Sequence, residues 1–179
     1  MRSKMTFGAV ALALATVGTA QAGSGNPAPP KEVQTMSCLV GSWKGTGSMT
    51  MGKDKVDGLK LSWNCKRTSA EWGVACNAVF TGVPGIDKYE ETDLFGYEPG
   101  TGKYHWYAVT NAGETHDHVA AAANSATIEF VHTGIQEGKP LKEVVQLTFK
   151  GKNESTVDVR SETFIDGKST ALLTGTAHK

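Results

Sequence analysis

Three features of this sequence predict an all-β fold, a closed up-and-down antiparallel barrel of ten strands with a short helix at its N-terminal end. From Gly41 onward, short alternating runs are separated by clusters of Gly, Pro, Asn and Asp. No segment sustains a helical period for three turns. The links between runs are too short for crossover helices, so successive strands should pair antiparallel. Closure would remove exposed edges, and a barrel of this strand number is wide enough to hold a small ligand. An open sandwich is the structural rival.

The chain of 179 residues opens with a positive Met1-Arg2-Ser3-Lys4, an Ala-rich apolar run from Phe7 to Val17 and a small-x-small site, Ala20-Gln21-Ala22. This pattern predicts a secretory signal peptide over residues 1–22, cleaved after Ala22, and hence a periplasmic or secreted protein. The apolar run is shorter than the ~20 residues a spanning helix needs. Residues 23–31, with Pro27, Pro29 and Pro30, are expected to form a flexible tether, leaving 32–179 as a single barrel domain. Without Arg2 and Lys4 the mature chain has two more acidic than basic residues, and no basic run exceeds Lys66-Arg67. These features argue against a nucleic-acid or anionic-membrane partner.

Within the domain, Val33, Met36 and Leu39 at helical spacing predict a one- or two-turn helix over Lys31 to Leu39. The first strand, Gly41 to Met51, alternates so that Trp43, Gly45, Gly47, Met49 and Met51 share a face. Its glycines imply close backbone approach or sharp coiling. The second and third strands, Val56 to Arg67 and Trp72 to Thr81, carry Cys65 and Cys76 at matching parity. A hairpin centred on Ala70-Glu71 sets the two opposite each other and favours a disulfide between them, with Cys38 a free buried thiol. The rival pairing joins Cys38 to one of the two. Further strands are expected over Tyr89–Tyr97, Tyr104–Asn111, Thr115–Ala120, Thr127–Thr133, Leu141–Lys150, Thr156–Ile165 and Ser169–His178. The Asp166-Gly167 link is a strong hairpin signal.

The run Leu39-Val40-Gly41-Ser42-Trp43-Lys44-Gly45-Thr46-Gly47 resembles the opening strand of calycin-type barrels, in which a Gly-x-Trp packs across the barrel floor. Its extended Gly-x-Trp-x-Gly-x-Gly form is similar to nitrobindin-like ten-stranded barrels. The chain also resembles an exported bacterial family of unknown function with a lipocalin-like fold, through Phe95-Gly96-Tyr97 and Tyr104-His105-Trp106-Tyr107. The resemblance implies that Trp43 is a floor residue. It also implies a haem alternative with His178, on the last strand, as axial ligand.

Candidate cavity-lining residues are Trp43, Trp63, Tyr104, His105, Trp106, Tyr107, His116, His118 and Arg160. His116 and His118 share a strand face, as a metal site would require. A hairpin turning at Ala112-Gly113 makes paired numbers sum to 225. His118 then faces Tyr107, with His105 diagonal to it and Glu129 following, so His105, His116, His118 and Glu129 form a candidate metal set. The competing reading leaves these histidines on a solvated outer face. Glu91 and Asp93 also share a face, as a solvated strand start or, if buried, an acid–base pair. Arg160 with Glu162 would anchor an anionic head group inside a barrel, or be a surface pair outside it. No nucleophile elbow, phosphate loop or His-Glu-x-x-His appears, so no catalysis is evident. The expected function is binding of a small, largely apolar or amphipathic molecule. The alternatives are a haem- or metal-binding barrel and a filled barrel acting as an interaction module.

Overall fold

The computed structural model describes residues 28–68, 70–121, 123 and 126–179. The proposed signal peptide and most of the tether lie outside them. A five-residue helix α1 (Lys31–Thr35) runs into a 3-10 turn (Met36–Leu39). The strands are β1 (Gly41–Met51), β2 (Asp54–Thr68), β3 (Gly73–Thr81), β4 (Lys88–Glu98), β5 (Lys103–Thr110), β6 (Thr115–Ala120), β7 (Thr127–Gln136), β8 (Lys139–Lys150), β9 (Thr156–Ile165) and β10 (Lys168–His178). Each pairs antiparallel with its sequence neighbour, and β1 pairs with β10, closing the barrel. The expected loop from Gly134 to Pro140 shrinks to a two-residue turn. Glu137 and Gly138 both take left-handed φ values, 50° and 76°, whose twist matches the flanking strands.

Every odd-numbered strand starts, and every even-numbered strand ends, at the end of the barrel capped by α1. There Val33, Met36, Cys38 and Leu39 are buried as a lid over Trp43. The Trp43 indole N–H donates to the Leu39 carbonyl at 2.7 Å, and the ring meets Phe149 at 6.0 Å. Arg67 fastens the lid from outside, donating to the Val33 carbonyl at 3.2 Å and to Ser37 Oγ. Trp63, Cys65, Cys76, Phe95 and Val157 fill the space above, leaving a void of only about 10 Å³. Cys65 lies opposite Cys76 and is bonded to it, with Cys38 a free buried thiol, so the pairing read from the turn arithmetic is the one formed.

Burial pushes the Cys38 thiol from 9.0 up to about 12, with the Glu154 charge adding to the rise. An unfolded chain ionises this thiol from about pH 9 while the folded chain keeps its proton. Between those values the folded state binds more protons, so stability falls as pH rises, by up to about 1.4 kcal/mol per pH unit from this group. Cys38→Ala is expected to flatten the decline of Tm between pH 9 and 12 relative to wild type. Parallel Tm profiles would show that Cys38 does not contribute.

Candidate functional site

Above the packed floor the inward-facing positions change character. On β4, alternation aims Glu91, Asp93 and Phe95 inward, and Asp93 is fully buried. On β5 the inward set is Tyr104, Trp106 and Ala108. On β6 it is His116, His118 and Ala120, on β7 Ile128, Phe130 and His132, and on β8 Glu143, Val145 and Leu147. Six carboxyl and imidazole side chains thus face the interior of an otherwise largely apolar barrel. All lie on neighbouring strands, toward the end opposite α1.

These groups hold one another in place. Glu143 Oε2 accepts from both imidazoles of β6, lying 2.7 Å from His116 Nδ1 and 3.3 Å from His118 Nε2. Burial alone would raise the Glu143 pKa. The His118 hydrogen bond and the charges of His116, His118 and His132 outweigh it and hold the carboxyl below its usual range. The Trp106 indole stacks on His118 at 4.8 Å and donates its N–H to Asp93 Oδ1 at 2.7 Å. His132 stacks on His116 at 4.3 Å, the two planes 12° apart. Its Nδ1 lies 3.0 Å from the Asp117 carbonyl, which can only accept, so Nδ1 carries a proton.

The carboxyls of Glu91 and Asp93 form a pair. Burial raises both pKa values, and Glu91 is raised further by the Asp93 charge and by donating a hydrogen bond to it. Asp93 Oδ2 is buried with no hydrogen-bond partner, so this wall holds a carboxyl oxygen that is not satisfied. The solvated strand start expected from the sequence is therefore an inward-facing carboxyl pair, with Asp93 fully buried. The burial follows from strand parity, because Phe95 and Tyr97 of the same face belong to the core.

The sequence-predicted residues divide by face. Trp43, Tyr104, Trp106 and His118 are buried inside, Trp63 packs against the core, and His116 is half-buried beside Glu143. His105 lies on the outer face, its Nδ1 3.1 Å from Asp117, with Tyr107 also exposed there. The cause is a one-residue difference in register: paired numbers on β5 and β6 sum to 224, so His118 faces Trp106 and His116 faces Ala108. The loop is odd-numbered, with the Thr110 N–H donating to the Glu114 carbonyl and Gly113 at φ 85°. Such a slip exchanges the faces of one strand relative to the other. Glu129 points outward on β7, between the buried Ile128 and Phe130.

Arg160 also faces outward and pairs with Glu162 at 2.5 Å, the surface alternative of its two readings. His178 follows the inward Ala177, so it faces outward at the capped end, 3.1 Å from Thr156 Oγ1. The residues that sequence reasoning missed are His132 and Glu143. A signal was present: Glu143 is the one charge among Leu141, Val145, Leu147 and Phe149 on the apolar parity of β8.

Comparison of the structure with solved proteins finds Rv2717c from M. tuberculosis, at 14% identity and a TM-score of 0.61, covering 85% of this chain and 99% of that one. The fold is that of a calycin-like barrel. At this identity the likeness speaks to fold alone. An S-type phycobiliprotein lyase from Guillardia theta aligns over 80% of this chain and 88% of its own, at 9% identity and a TM-score of 0.47, too loose a likeness to carry an argument. No protein-family model and no curated protein matches the sequence.

Proposed function

We propose that this protein is an exported binding barrel for a small amphipathic molecule, its polar head against the inner wall of Glu91, His116, His118 and Glu143. The observation that carries this reading is the gathering of six carboxyl and imidazole groups on one inward-facing stretch of a largely apolar barrel. Burying such groups costs several kcal/mol unless they are paired. The pairing here is incomplete, since His118 Nδ1 is buried without a partner. Buried polar atoms left over in a native site call for a guest or a water. Leu61, Phe80 and Leu173, apolar and on the inner parity of β2, β3 and β10, offer surface for the body of the guest. The Cys65–Cys76 disulfide supports export, because such bonds persist in oxidising compartments.

Two measurements test this. Native mass spectrometry of mature protein recovered from the exported fraction should show an added organic mass. The neutral amphiphile N-phenyl-1-naphthylamine should bind saturably at one per chain, with energy transfer from tryptophan. A bare polypeptide mass together with no saturable probe binding would overturn the proposal and leave the filled-barrel reading.

A further inference from the structure

We infer that His116, His118 and Glu143 form a binding site for one divalent first-row transition-metal ion, of the Zn²⁺ or Fe²⁺ class. The inference rests on the reading of the inner wall as a guest site and deepens it, since open coordination positions on such an ion would take the polar head of the guest.

The geometry comes first. One ligand atom from each residue, two imidazole nitrogens and a carboxylate oxygen, lie within 4.8 Å of one another. Both nitrogens already converge on one oxygen, Glu143 Oε2, at 2.7 and 3.3 Å. An ion with ligand bonds of about 2.0–2.2 Å sets its ligands about 3.3 Å apart in a tetrahedron, so small side-chain shifts admit it. Two histidines and one carboxylate are the donor set of open sites in zinc hydrolases and non-haem ferrous proteins, and their chemistry discriminates against Ca²⁺ and Mg²⁺, which take oxygen.

The surroundings supply what such a site needs around its ligands. Ring orientation at a metal is set by the groups packed on the ligands. Trp106, itself tied to Asp93, fixes the plane of His118, and His132, tied to the Asp117 carbonyl, fixes the plane of His116. These four are positioning residues. Beside the three ligands, the carboxyls of Glu91 and Asp93 and the His132 imidazole face the site, with no Lys or Arg on the inner parity of β4, β5 or β6. A cation is therefore the charge this wall would accept.

The ligands also straddle the weakest closure in the barrel. Among the described residues, β6 and β7 share a single register pair, Val119 with Val131, whereas β7 and β8 share a continuous run from Thr127 to Gln136. His116 and His118 stand on β6 and Glu143 on β8, with β7 between them. An ion held by all three spans that seam and adds the cross-link that the backbone ladder lacks there.

The test uses mature protein without an affinity tag, stripped with chelator, titrated with ZnCl₂ by calorimetry and with CoCl₂ by visible absorption. One ion per chain is expected, with Co²⁺ d–d bands and a rise in Tm on adding Zn²⁺. Glu143→Gln, which keeps the shape of the side chain, and His116→Ala, at a position that is not fully buried, should each weaken Zn²⁺ binding by at least about 100-fold, the upper end of what losing even an outer partner costs. His105→Ala, on the outer face, should leave it unchanged. Substoichiometric binding by wild type, or binding that survives either ligand variant with far-UV circular dichroism intact, overturns the inference. An organic guest bound without any ion sinks this inference and leaves the preceding reading standing. An ion bound with no organic guest or probe does the reverse.

Discussion

Gly45→Ala should open the barrel along its closing seam and cost about 3 kcal/mol or more, the upper range of overpacking penalties. β1 meets β10 with Gly45 opposite Ala177 and Gly47 opposite Gly175. A Cβ on Gly45 would collide with the Thr176 carbonyl oxygen and come within 2.6 Å of Ala177 Cα and 2.8 Å of Ala177 Cβ. The first two of these atoms are backbone, which no rotamer change can move, so relief requires the strands to separate. The expected readout is a large fall in the urea midpoint with a native-like m-value. Gly52→Ala is a useful contrast, because a Cβ there meets nothing within 4 Å, although its φ of 59° carries its own strain. A Gly45→Ala protein as stable as wild type would mean that β1 and β10 do not approach as closely as described.

Trp43→Ala should cost about 3–5 kcal/mol, the range for emptying a buried aromatic site. Trp43 is 1% exposed and touches both the α1 lid and the barrel wall. Its loss leaves a cavity under the lid and removes the donor to the Leu39 carbonyl, so the lid and the floor weaken together. Trp43→Phe isolates the second contribution. It keeps most of the apolar contact but not the N–H, and should cost about 1–2 kcal/mol, the scale of one buried hydrogen bond plus a small void. Thermal and urea unfolding of both variants check the order. Equal, small losses would mean that the lid is not anchored through this residue.

Much of this architecture was legible in the sequence because a strand declares its faces by alternation. The parity of Trp43, Gly45 and Gly47, the opposition of Cys65 and Cys76, and the tenfold meander all follow from local patterns and turn chemistry. The site was harder to read for the same reason. It depends on the relative register of strands, and one residue more or less in the loop from Thr110 to Glu114 decides whether His105 or Trp106 stands beside His118. Glu143 is a partner from two strands away, and no short-range pattern links it to His116. Only the break in apolar parity on β8 marks it, a charge where Leu141, Val145 and Leu147 predict another aliphatic side chain.

The pairing of β1 with β10 also orders events in time. Lys44 lies opposite His178, so this ladder joins residues separated by almost the whole domain. Each of the other ladders links sequence neighbours and can zip as soon as both strands exist, whereas this one pays the loop-closure entropy of the full chain. A nascent chain lacking β10 keeps both terminal edges open, and open edges are where unfinished β proteins aggregate. Closure of the barrel therefore waits for β10, and until it pairs with β1 the groups on the inner wall have no closed interior to face.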